Sequence, residues 1–226
     1  MARHDIVVIG ASAGGVEALT QVVHELPARL NAALLVVLHL PPDAPSVLPR
    51  ILTRAGALPA TNPGDGDPIE MGHIYIAPPD RHLLVERGFM RVSAGPREHA
   101  HRPAVDPLFR TAAHAYGPRV LGIVLSGNLN DGSAGLSEIV RAGGAAIVQL
   151  PEESLFPGMP RAAAEYVPEA RRLAMSNIGH AIAQMAAAPA ERERKVSTTA
   201  DFTSRDAVSG PHGVSGVGND PESPIE

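Results

Sequence analysis

Three residues that can do chemistry together, Ser12, His39 and Asp131, each stand where a short aliphatic run gives way to a loop. Ser12 lies in Gly10-Ala11-Ser12-Ala13-Gly14. This is a G-x-S-x-G pattern, whose glycines permit a sharp strand-to-helix turn that exposes the serine oxygen. Backbone N–H groups at the start of the following helix, that of Ala13 first, can hold an oxyanion. Taken alone the pattern reads more often as a phosphate cradle or a tight turn. A dinucleotide cradle, however, needs G-x-G-x-x-G and an acidic residue closing the second strand. Here the glycine order differs, the second strand closes on His39, and no G-x-x-x-x-G-K-[ST] loop is present.

His39 follows the aliphatic run 33–38 and is placed on the same sheet edge as Ser12, where open α/β sheets bind their ligands. A neutral imidazole there can take a serine proton and later return it to a leaving group. A histidine that merely packs at a strand end fits the same position. Asp131, in the loop Ser126-Gly-Asn-Leu-Asn-Asp131-Gly132, can hold the histidine tautomer and stabilise the imidazolium. It also fits an N-cap for a helix starting near Ala134. Three strand ends offering Ser, His and Asp on one edge are a far rarer coincidence than any one of them.

The elements that position these residues follow from periodicity. Asp5–Ile9, Ala33–Leu38, Val120–Leu125 and Ala145–Leu150 are continuous aliphatic runs, the pattern of parallel strands buried on both faces. Helical spacing is expected over Val16–Leu26, stopped by Pro27, and over Ala134–Ala142, closed by Gly143-Gly144. Further short helices are expected over Arg161–Tyr166 and Asn177–Ala187. Asp106-Pro107 reads as N-cap and first residue of a helix reaching Tyr116. His73–Ala77, His82–Glu86 and Met90–Ser93, with turn residues between them, predict a local antiparallel ribbon. The fold class is therefore α/β: a doubly wound, mainly parallel sheet with a small antiparallel hairpin ribbon. Residues 1–187 form the expected domain. Beyond it, Ala190-Glu-Arg-Glu-Arg-Lys195 is a charge run, and the rest of 188–226 is poor in large apolar residues. That tail is expected to be disordered, or else to fold on a partner.

Composition narrows the function. The 226-residue chain is 44% apolar, carries a net charge of −5 and has no basic stripe interleaved with aromatics, which argues against nucleic acid or an anionic membrane as partner. It has no cysteine, so disulfides, thiolate nucleophiles and cysteine-based zinc sites are excluded. His99-Ala-His101 is an H-x-H pair, but no third metal ligand stands out, and neither metal nor cofactor is expected. The apolar run Ile6–Ile9 is shorter than the roughly 7–15 residues of a signal sequence or the ~20 of a membrane helix, so a cytoplasmic protein is expected.

The ordered set Ile9-Gly-Ala-Ser-Ala-Gly-Gly15, Leu38-His-Leu-Pro41, His101-Arg-Pro-Ala-Val-Asp106, Asn130-Asp-Gly132 and Phe156-Pro-Gly-Met-Pro-Arg-Ala162 resembles the chemotaxis protein-glutamate methylesterase family over about residues 5–187. The resemblance implies a catalytic triad of Ser12, His39 and Asp131, with Ala13 and Asn128 as oxyanion contacts. It implies hydrolysis of glutamate γ-methyl esters on the cytoplasmic helices of chemoreceptors, with glutamine deamidation open to the same machinery. His101 and Arg102 are expected to line the cleft, Arg102 either steering an acidic substrate or buttressing a loop. Two positions depart from the family pattern. Leu129 replaces a glycine, which is expected to alter the backbone path and any contact from Asn128. Ala13 replaces a frequent threonine and keeps only its N–H. The family also carries an N-terminal receiver domain; the sequence starts just before the catalytic domain's first strand, so control by an in-chain receiver is not expected. A fold retained as an interaction module, with turnover lost, stays open as the alternative, as does a nucleotide-binding regulator.

Overall fold

The computed structural model describes residues 3–43 and 45–187, so the expected C-terminal tail at 188–226 lies outside the described residues. The elements run β1 (Ile6–Ala11), α1 (Gly15–His24), β2 (Ala33–Leu38), α2 (Leu48–Ala55), β3 (Ala60–Thr61), β4 (Ile74–Ile76), β5 (His82–Glu86), β6 (Phe89–Ser93), α3 (Val105–Tyr116), β7 (Val120–Val124), α4 (Ser133–Arg141), β8 (Ala145–Gln149), α5 (Gly158–Tyr166), β9 (Arg171–Leu173) and α6 (Met175–Ala187).

Seven strands form one parallel sheet in the order β3-β4-β2-β1-β7-β8-β9. Every residue of β1 and β2 is buried, because helices cover both faces of the sheet. Alternate residues feed opposite cores. Val7 and Ile9 pack with Leu19 and Val22 of α1, Leu52 of α2 and Ile182 of α6. Ile6 and Val8 pack with Phe109 of α3, Leu136 of α4 and Met159 of α5. Each such side chain, fully buried, contributes on the order of 1.5–3 kcal/mol. The sheet's outermost strands are blunted: β3 has two residues, and β9 exposes Arg171 and Arg172.

The chain leaves β1 first toward β2 and later returns to β1's other side as β7. β1 is therefore the switch point of the sheet, and the crevice beyond its carboxyl end is the natural ligand site. Ser12, His39 and Asp131 follow β1, β2 and β7 in that order.

Two expectations require correction. His73–Ala77 does not join the antiparallel ribbon: β4 pairs in parallel with β2, Leu34 opposite Ile74, and only β5 and β6 form the hairpin. Asp106 does not cap α3, whose N-cap is Ala104. Instead two carboxylates cap across helices. Asp131 accepts the Val105 and Asp106 N–H groups at the start of α3 (2.8 and 3.0 Å). Asp106 in turn accepts the Gly135 N–H at the start of α4 (2.6 Å). Each negative charge thus meets the positive end of the other helix.

Candidate active site

The turn that presents Ser12 is fixed by backbone bonds on both sides. The Ser12 N–H donates to the Ser126 carbonyl (2.9 Å) and the Ser12 carbonyl accepts from the Gly15 N–H (2.9 Å). Gly14 passes through the turn at φ +69°, a left-handed conformation that a side chain disfavours. The Ala13 carbonyl accepts from the Ser126 hydroxyl at 2.9 Å, which fixes the local peptide orientation. Among the described residues the Ala13 N–H has no hydrogen-bond partner.

His39 continues the ladder, its N–H donating to the Ala11 carbonyl (3.1 Å). Its Nε2 lies 2.9 Å from Asp131 Oδ2, both side chains being at most 5% exposed. Burial alone would raise the Asp131 carboxyl. The hydrogen bonds from His39, Val105 and Asp106 outweigh it and hold the group below the usual carboxylate range, so it stays ionised. His39 Nδ1 is buried with no partner among the described residues. With Nε2 taken by Asp131, Nδ1 is the nitrogen left to accept a proton.

The His101 ring stacks on His39, centroids 3.8 Å apart and planes 10° from parallel. Burial, and then the neighbouring His39, push the His101 imidazole below its ordinary range, so it packs as a neutral ring. An open cleft of about 330 Å³ runs over Ser12 and His39, walled by Leu40, Pro41 and Pro42 and by Arg97, His101 and Arg102.

Asn128 sits at the exposed tip of the β7–α4 loop. That loop is pinned where Gly127 donates to the Phe156 carbonyl (2.9 Å) and accepts from the Met159 N–H (2.8 Å). Leu129 stands at φ +65°. This is the left-handed conformation that glycine adopts readily, so the leucine is strained there. Arg102 lines the cleft and also braces the loops around it. Its guanidinium binds Asp80 Oδ1 twice (2.8 and 3.0 Å) and the Ala94 and Gly95 carbonyls (3.0 and 2.8 Å), which leaves little to steer a substrate.

The H-x-H histidines take different partners: His101 stacks on His39, whereas His99 Nε2 bonds Asp106 Oδ2 at 2.9 Å. Burial pushes the Asp106 carboxyl up, and its bonds from Gly135 and His99 offset this only in part. One ligand atom each from His99, Asp106 and Asp131 lies within 4.8 Å of the others. All four carboxylate oxygens already accept hydrogen bonds, so the cluster acts as a polar brace behind His39.

The CheB methylesterase family profile matches residues 7–182. The chain belongs to that family. It is 43% identical over 169 residues to a protein-glutamate methylesterase/protein-glutamine glutaminase of Rhodospirillum rubrum, covering 72% of this chain and 44% of that protein. A relative of the same name from Anaeromyxobacter dehalogenans is 38% identical over 184 residues, covering 81% and 54%. The chain thus spans about half the length of these curated relatives. Among solved structures, the Thermotoga maritima CheB methylesterase catalytic domain superposes with a TM-score of 0.77 at 28% identity, over 82% of this chain and 99% of that one. The family places the chain with methylesterases, and no helix among its described residues is long and apolar enough to cross a membrane.

Sequence reasoning missed Ser126 and Gln149. Ser126 donates to the Ala13 carbonyl and accepts from the Phe156 N–H (3.1 Å), while its own N–H is held by buried Gln149 Oε1 (2.8 Å). The available signal was position: a polar residue directly after one buried strand and another closing the next.

Proposed function

We propose that this chain is a serine esterase that hydrolyses glutamate γ-methyl esters on the cytoplasmic helices of chemoreceptors. Ser12 Oγ attacks the ester carbonyl and passes its proton to His39 Nδ1. The Asp131 carboxylate holds the Nε2–H tautomer and stabilises the imidazolium. The Ala13 and Asn128 N–H groups receive the developing oxyanion. Collapse of the tetrahedral intermediate breaks the ester C–O bond, and His39 returns the proton to the departing methanol. Water then enters with His39 as base, and hydrolysis of the acyl-enzyme restores Ser12 and a glutamate carboxylate. A glutamine side chain can follow the same route with ammonia as leaving group, in keeping with the double name its relatives carry.

The observation that carries this reading is the buried 2.9 Å His39–Asp131 pair, with His39 and Ser12 lining one cleft at the switch point of the sheet. A peptide bearing a glutamate γ-methyl ester tests it by methanol release. Wild-type protein is expected to release methanol catalytically, and failure to do so would refute the reading.

A further inference from the structure

The esterase reading names the ester but not what the enzyme recognises beside it. Arg97 lines the same cleft as Ser12, His39 and His101. Its side chain is 46% exposed and its charge is poorly matched within the protein. Its contacts are Nη2 to Asp80 Oδ1 and Nη1 to the Ala100 carbonyl, each at 3.5 Å, the outer limit of a hydrogen bond. Asp80 Oδ1 already accepts two much shorter bonds from Arg102, at 2.8 and 3.0 Å. Arg81 stands 3.6 Å from the other Asp80 oxygen, so three guanidinium groups share one carboxylate. Arg102 before all else, then Arg97 and Arg81, holds Asp80 below the ordinary carboxylate range, so it is ionised and still outnumbered. The adjacent acid, Glu98, gives both its oxygens to Arg110 (2.9 and 3.1 Å). The cleft mouth therefore carries excess positive charge on a chain whose net charge is −5.

We infer that Arg97 is a specificity-determining residue that binds a carboxylate on the substrate chain close to the scissile ester. A guanidinium fork suits a carboxylate bidentately, and Arg97 can turn from its long internal contacts to make that pair at little cost. Leu40, Pro41 and Pro42 supply an apolar wall in the same cleft. The preferred substrate is thus an acidic segment with a methylated glutamate among unmodified ones. This inference rests on the esterase reading.

The test compares two peptides with the same central glutamate γ-methyl ester, one flanked by glutamates and one by glutamines. Wild-type protein is expected to favour the acidic peptide about tenfold in kcat/KM, the worth of a hydrogen-bonded charge pair. Arg97→Ala should bring the ratio near one, and Arg97→Glu should invert it. Because a variant that is merely misfolded lowers both rates together, the ratio separates recognition from structural damage. A wild-type ratio near one, or a ratio unchanged in Arg97→Ala, would overturn the inference while leaving the esterase reading intact. No methanol from either peptide would overturn both.

Discussion

The Asp131 carboxylate serves His39 with one oxygen and the first N–H groups of α3 with both, so substitution there tests geometry and charge together. In Asp131→Asn either orientation of the amide sets N–H against a backbone N–H. With the nitrogen at the Oδ2 position, it would also turn His39 to the tautomer whose Nδ1 carries the proton. We expect kcat to fall on the order of 10⁴-fold, the scale of tautomer loss in a serine triad. Near-normal turnover would reduce Asp131 to a helix cap. Leu129 offers the opposite kind of test. A leucine at φ +65° costs roughly 1–2 kcal/mol, more than the roughly 0.4–1 kcal/mol by which glycine loosens the unfolded chain. The side chain is 69% exposed and buries little. Leu129→Gly is therefore expected to raise Tm in a thermal melt, and a lower Tm would show that the strain is absent. The positions of Ser12, His39 and Asp131 were legible because each ends a recognisable strand. Arg102 was legible as a cleft residue, but its partner was not, since Asp80 lies 22 residues away and only the folded chain brings them together.

At the scale of elements, the packing of α3 on α4 decides where both carboxylates sit. Gly135 in the first turn of α4 lies against α3, and a Cβ there would come 2.6 Å from Phe109 Cβ and 3.0 Å from Asp106 Oδ1. Alanine normally favours a helix over glycine by about 1 kcal/mol. Here the contact is with a β-carbon that cannot swing aside, and overpacking of this kind costs about 1–3 kcal/mol. The clash should win, so Gly135→Ala is expected to lower Tm and, by displacing Asp106 and with it the Asp131 contacts, to lower kcat. An unchanged melt would show that the helices have slack. The long aliphatic strands and amphipathic helices could be read from the sequence, because burial on two faces or on one leaves its own period. The short elements could not. β4 sits among hairpin-like spacings, yet its parallel partner β2 is some forty residues upstream. α2, β3 and β9 escaped altogether; β9 begins with two arginines at the sheet margin, where no apolar alternation is required.

Across the whole molecule, a parallel sheet that reverses its winding at β1 brings three separate strand ends to one crevice. Topology thus gathers Ser12, His39 and Asp131, the nucleophile, base and orienting acid of the proposed mechanism, at one edge of the sheet. The sequence order of the strands left this arrangement open, because a fold with β7 elsewhere in the sheet would have separated Asp131 from His39. The central claim is that Ser12 is an activated nucleophile, and covalent trapping tests it most directly. Intact protein is incubated with a fluorophosphonate, digested, and the adduct located by mass spectrometry. We expect stoichiometric modification of Ser12, with none in Ser12→Ala and much slower labelling in Asp131→Asn. An unlabelled wild-type protein, or an adduct on any other serine, would contradict the claim.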